Sequence, residues 1–238
     1  MHHVVLERWS RGSSALHRRD PRAKIAALLF FLIVLATAQR ALPSLAGALF
    51  LMLCACLLWA RLPLGGALLR AAIVLPFTLA FAAICWAAGD PGRGLALLLK
   101  SYVSALAVLV VVSTTPLPKL LRGLESIGAP RFLLMVAQFL YRYLFVISEE
   151  AQHMAIAAIS RGGSRRNLRF RAAAGALAVL FARSYGRAEE IHRAMLARGF
   201  TGHFRTLGGL RFGASDACFA VMASLAPVLL RVAIERAV

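Results

Sequence analysis

Apolar residues in this chain come in long blocks separated by short polar breaks. Five blocks dominate: residues 25–38, 45–59, 68–88, 95–112 and 216–232. None alternates with the two-residue period of a half-exposed strand, and each is near the ~20 residues an apolar helix needs to cross a bilayer. The pattern predicts five membrane-spanning helices. Asp20-Pro21-Arg22-Ala23-Lys24 reads as the start of the first. Asp20 caps free N–H groups, Pro21 suits the first helical position, and Arg22 and Lys24 are expected at headgroup level. Residues 40–43 form a turn, Arg61 and Pro63 close the second span, and Pro76 kinks the third. Gly89-Asp90-Pro91-Gly92 is a turn, and Ser113-Thr114-Thr115-Pro116-Leu117-Pro118 ends the fourth span.

The pattern changes after residue 116. Leu117, Leu120, Leu121, Leu124 and Ile127 share one face of a short amphipathic helix, with Lys119, Arg122 and Glu125 pointing away. Gly128-Ala129-Pro130 stops it. Residues 131–160 read as one long helix. Gln138, Arg142, Glu149 and His153 make a polar stripe along it, which suits a membrane surface or a protein interface. The stripe also looks like a catalytic row, so a membrane enzyme is the alternative reading. A basic link at 164–171 suits phosphate headgroups. The helix at 172–196 begins with small residues (Ala173, Ala174, Gly175, Ala176, Ala178) that allow close helix approach, and pairs Glu189 with Arg193 near its end. Both long helices end on the same signal, Ser160-Arg161-Gly162 and Ala197-Arg198-Gly199. Glycine supplies the left-handed stop and arginine complements the carbonyl end of the helix. Two copies in one segment suggest paired docking plugs.

Four segments follow from these patterns: a basic terminus at 1–24, a four-helix transmembrane bundle at 25–115, a coupling layer at 116–212 and a last transmembrane helix at 213–238. Composition supports the membrane reading, since 60% of the 238 residues are hydrophobic against ~45–50% in soluble domains. The fold class is an all-α integral membrane protein with amphipathic helices on its cytoplasmic side. The formal charge of +18 rests almost wholly on arginine, with Lys24, Lys100 and Lys119 the only lysines. Residues 1–24 carry six basic and two acidic residues, and 117–211 carry 15 and 5. Positive residues gather in cytoplasmic loops, which places the N-terminus and the 117–211 layer inside. Nucleic acid is not expected as a partner, because no zinc-finger or basic-zipper spacing accompanies the charge. Five crossings would put the C-terminus outside, although Arg231 and Arg236 argue against it.

Cys54, Cys56, Cys85 and Cys218 lie in apolar runs and read as buried hydrophobes. His2 and His3 could chelate nickel or copper, but a mobile terminus is the plainer reading. The first 24 residues lack the apolar core of a signal peptide. The chain has no Gly-x-x-x-x-Gly-Lys-Ser/Thr loop, no His-Glu-x-x-His zinc site and no carboxylate row in its spans. No catalytic or metal site is expected.

Taken in order, these residues resemble the transmembrane T component of energy-coupling-factor transporters, the EcfT/CbiQ family. The likeness is carried by Leu16-His17-Arg18-Arg19-Asp20-Pro21-Arg22-Ala23-Lys24, Ser113-Thr114-Thr115-Pro116, Tyr141-Arg142-Tyr143, Glu149-Glu150 and both Arg-Gly signals. The second signal keeps the family's Ala-Arg-Gly, whereas the first has Ser160 in place of alanine. The resemblance implies a membrane bundle with cytoplasmic coupling helices in a bacterial inner membrane. It implies that Arg161, Gly162, Arg198 and Gly199 dock on an ABC-type ATPase dimer. It further implies that Thr115, Pro116, Arg142, Glu149 and Glu150 belong to a coupling interface, with 117–127 and 131–147 facing a separate substrate-capture membrane subunit. No cofactor is expected in this chain; ATP and magnesium would be held by the ATPases. Cobalt is the expected substrate, with nickel next and biotin behind.

Overall fold

A computed structural model describes residues 9–10, 12–38, 42–162, 170–202 and 212–237. His2, His3, the turn residues Arg40 and Ala41, and the basic link at 164–169 lie outside the described residues. The described chain is all α-helical, with no strand. After a single turn, α1 (Ala15–Arg18), come α2 (Pro21–Thr37), α3 (Leu42–Trp59), α4 (Leu64–Ala71), α5 (Leu75–Ala87) and α6 (Pro91–Thr114). Then follow α7 (Leu117–Ser126), α8 (Arg131–Ser160), α9 (Phe170–Ala197) and α10 (Ala214–Ala237). Four stretches are long and apolar enough to cross a membrane: Leu64–Ala87, Pro91–Thr114, Arg131–Ser160 and Ala214–Arg236. Pro43–Trp59 is a shorter apolar helix. With these helices the chain is a multi-pass membrane protein.

Proline and glycine set most boundaries. Asp20 caps α2, its carboxylate accepting from the Arg22 N–H at 2.8 Å, with Pro21 in the first turn. The expected kink at Pro76 is a change of helix type. A 3-10 turn at Ala72–Val74 separates α4 from α5, and Pro76 falls in the first turn of α5, where its missing N–H leaves no bond unmade.

The chain forms two compact units. One comprises residues 1–128 and 210–238, the other residues 129–209. Helix α7 belongs to the first unit, where it packs on α2. Gly123 is buried there, and a Cβ on it would come within 3.1 Å of both Ile25 Cδ1 and Pro21 Cβ. Of the five apolar positions expected on one face of α7, Leu120 and Leu121 are buried while Leu117, Leu124 and Ile127 stay exposed.

The core of the first unit is built on α3. Leu45, Leu49, Leu53 and Leu57, four residues apart, line one stripe that packs with Phe31 and Leu35 of α2 and Val103, Leu106 and Val110 of α6. Lipid is as apolar as leucine, so close packing rather than water exclusion holds such helices together. The outer faces of α4, α5 and the turn between them remain apolar and uncovered, with Leu69, Ile73, Phe77 and Ile84 all more than half exposed.

Polar ties join the two ends of this bundle. At one end Arg19 donates to the Ser215 carbonyl at 3.0 Å, and the Asp20 N–H donates to the Asp216 carboxylate at 3.3 Å. At the other end Arg231 donates to Thr37 Oγ1 at 2.6 Å and pairs with Glu235 at 2.8 Å. Thus α10 runs parallel to α2, and the Arg231 charge is neutralised where it stands. Lys100 closes an open carbonyl of the last turn of α2, donating to Ala36 at 2.9 Å.

Lys24 is 3% exposed, its side chain turned into the bundle. Its ammonium donates to the Thr114 carbonyl at 3.0 Å and to Thr115 Oγ1 at 2.7 Å. The start of α2 is thereby clamped to the end of α6. Arg22 is half-buried beside it, with Nε lacking a partner.

Candidate functional site

In the second unit α8 follows Pro130 and runs unbroken for 30 residues, and α9 follows it for 28. The two helices are joined by an ion pair between Glu150 and Arg183. Each ends in the same way. The Arg161 N–H donates to Ala157 O at 3.3 Å, and Gly162, at φ +86°, donates to Ile159 O at 3.0 Å. The Arg198 N–H donates to Met195 O at 3.1 Å, and Gly199, at φ +75°, donates to Leu196 O at 2.9 Å. The Phe200 N–H then reaches Met195 O at 3.0 Å, which completes a Schellman cap on α9. A Cβ on either glycine would meet nothing within 4 Å. The glycines are there for backbone conformation, not for space.

Arg161 and Arg198 are both exposed, and among the described residues neither guanidinium has a hydrogen bond or an ion pair. Two positions before each arginine stands an exposed aliphatic residue, Ile159 at 44% and Leu196 at 55%. The repeated unit is therefore Ile/Leu-x-Arg-Gly, an apolar shoulder beside a free guanidinium. Sequence reading missed the shoulder, although its signal, the same spacing in both copies, is in plain sight.

The other expected interface residues divide between the units. Arg142 lies 5.8 Å from the Tyr143 ring and is exposed, as is Glu149, while Glu150 is spent on Arg183. Gln138 is half-buried and His153 exposed. Thr115 and Pro116 belong to the first unit. Thr115 is 2% exposed and accepts from Lys24, so its hydroxyl is internal rather than at a surface. Pro116 precedes α7, and its carbonyl accepts from the Lys119 and Leu120 N–H groups at 2.9 and 3.1 Å. Among the described residues no group of three or more His, Cys, Asp or Glu side chains could hold a metal ion.

Comparison with known proteins gives a consistent picture. A family model described as "Cobalt transport protein", CbiQ, matches residues 12–207. The Cobalt transport protein CbiQ of Rhodobacter capsulatus is 31% identical over 149 residues, 62% of this chain and 61% of that protein, so the match spans less than two thirds of it. The energy-coupling factor transporter transmembrane protein EcfT of Acidaminococcus fermentans is 30% identical over 230 residues, 84% of each chain. Its counterpart from Bacillus selenitireducens is 29% identical over 231 residues, again 84% of each.

Proposed function

The chain belongs to the CbiQ family of cobalt transport proteins, and we propose that it is the transmembrane coupling subunit of an energy-coupling-factor importer. In this reading a dimer of ABC-type ATPases binds ATP and magnesium, and this chain neither binds nor hydrolyses the nucleotide. ATP-driven closing of the dimer moves α8 and α9, and the motion reaches a separate capture subunit that holds the substrate. Cobalt ion is the proposed substrate, in keeping with the family description and the name of the Rhodobacter capsulatus relative. Nickel and biotin are the alternatives. Specificity would reside in the capture subunit. The N-terminus would face the cytoplasm across the inner membrane, following its basic charge.

The observation that carries this reading is the doubled helix end. Two exposed guanidiniums, each on a glycine-stopped helix with an aliphatic shoulder, offer one plug per ATPase. A guanidinium fork pairs bidentately with a carboxylate in a groove, and the shoulder keeps water from the pair. The test uses the whole complex with Arg161→Glu, Arg198→Glu and the double variant. Truncating one partner of a desolvated charge pair costs roughly 2–5 kcal/mol, so each single change should weaken ATPase retention at least about thirtyfold. The double variant should lose both ATPase co-purification and ATP-driven cobalt uptake. Retention and uptake at the unmodified level in the double variant would refute the reading.

A further inference from the structure

We propose that the first unit holds an anionic phospholipid, its phosphate seated by Arg18 and Arg61 and one acyl chain entering the space between α2, α3 and α10. Three observations converge on this. A cavity of about 610 Å³ opens where α1, the end of α3 and the start of α10 meet. It is lined by Arg18, Arg19 and Arg61, with Ser13 and Ser14, and by one acid, Asp216. That acid is already used: it lies 3.8 Å from Arg19 and accepts from the Asp20 and Gly213 N–H groups at 3.3 Å each. Arg18 and Arg61 are exposed and have no ion pair with a described residue. Among the described residues the cavity thus keeps two positive charges without an acidic partner.

Second, Arg61 has the one positive φ among the described non-glycine residues, +55°. The left-handed conformation carries a steric cost for an arginine that a glycine would not incur. Helix stops at this position are usually glycine. Here the stop is an arginine, and it stands in the wall of the basic cavity.

Third, an apolar cavity of about 120 Å³ adjoins the first, and Trp59 lines both. Its walls include Leu28 and Phe31 of α2, Met52 and Leu53 of α3, and Phe219 of α10. Basic mouth, tryptophan rim and apolar slot follow one another as headgroup, interface and chain do in a lipid. Free phosphate would satisfy only the mouth.

The full chain is purified in detergent and examined by native mass spectrometry with added dioleoylphosphatidylglycerol or dioleoylphosphatidylcholine, and with inorganic phosphate as competitor. The expected result is preferential retention of the glycerol lipid, undiminished by phosphate. Retention should fall about tenfold or more in Arg18→Gln and in Arg61→Gly, the loss of a charge-assisted contact. Arg93→Gln, at the opposite end of α6, should bind as the unmodified chain does. Arg61→Gly relieves the left-handed strain, so an equal or higher thermal midpoint separates lost binding from lost folding. Equal retention of the two lipids, full retention in both mouth variants, or protection by phosphate without lipid retention would overturn the proposal.

Discussion

Replacing Lys24 by methionine keeps the length of the side chain and removes its ammonium. The unmodified chain places that ammonium 3.0 Å from the Thr114 carbonyl and 2.7 Å from Thr115 Oγ1, with Thr114 and Thr115 1% and 2% exposed. Methionine takes away the buried charge together with its bonds, so the full cost of stranding an ion does not arise. What remains is two buried acceptors without a donor, at roughly 1–3 kcal/mol each. Thr114 Oγ1 offers no relief, because it already donates to the Val110 carbonyl at 2.9 Å. The expected loss for Lys24→Met is about 2–6 kcal/mol by this count. Thr115→Val alone should cost less, about 1–2 kcal/mol, since the ammonium keeps the Thr114 carbonyl. The double variant removes donor and acceptor together and should fall short of the sum by about 1 kcal/mol or more, as residues in direct contact do. Reversible unfolding of the purified chain in mixed detergent micelles measures all three. Additivity within about 0.5 kcal/mol, or unchanged stability in Lys24→Met, would show that no clamp joins α2 to α6.

Two further outcomes follow from the same geometry. Gly123→Leu should cost about 1–3 kcal/mol and expose residues 117–126 to protease, because Ile25 and Pro21 leave no room for a branched side chain between α7 and α2; Gly123→Ala should be milder, and equal protease resistance in both would contradict the close approach. Gly199→Val should lower helix stability by ~1 kcal/mol or more and weaken ATPase retention even though Arg198 is intact, whereas Gly199→Asn should retain most of both, since asparagine tolerates the left-handed conformation; a valine variant that binds as the unmodified chain does would show that the stop does not aim the arginine.

The element boundaries were largely legible because they are set by residues with few conformational options. Pro21, Pro91 and Pro116 sit at or beside helix starts, and Gly128, Gly162 and Gly199 take the left-handed stops. The expected helix at 131–160 is α8. Long-range polar contacts were not legible. A lysine at the edge of an apolar block looks the same whether it snorkels to headgroups or turns inward. Its threonine partners lie some ninety residues away. Arg231 shows the same limit: its charge can be read from the sequence, but its contacts with Thr37 and Glu235 cannot. The paired Arg-Gly ends were visible as a repeat, but their aliphatic shoulders gain meaning only once Ile159 and Leu196 are found uncovered.

The second unit also limits how its two plugs can work. Glu150 and Arg183 fix one crossing point between α8 and α9. Toward the two tips, Ile156 on α8 and Leu196 on α9 are both more than half exposed. From the crossing, Arg161 lies eleven residues along α8 and Arg198 fifteen along α9. At 1.5 Å per residue these arms reach about 16 and about 22 Å. The guanidiniums can therefore stand up to roughly 40 Å apart, depending on the crossing angle. A change in that angle moves both tips at once and in opposite senses. A stiff helix needs no internal rearrangement to transmit such motion, and the partly exposed ion pair at the pivot resists it by about 1 kcal/mol or less. If the tips are held by two ATPases, the approach of one to the other becomes a scissoring of α8 against α9. The apolar faces those helices leave uncovered are then the surfaces that carry the stroke to a membrane partner.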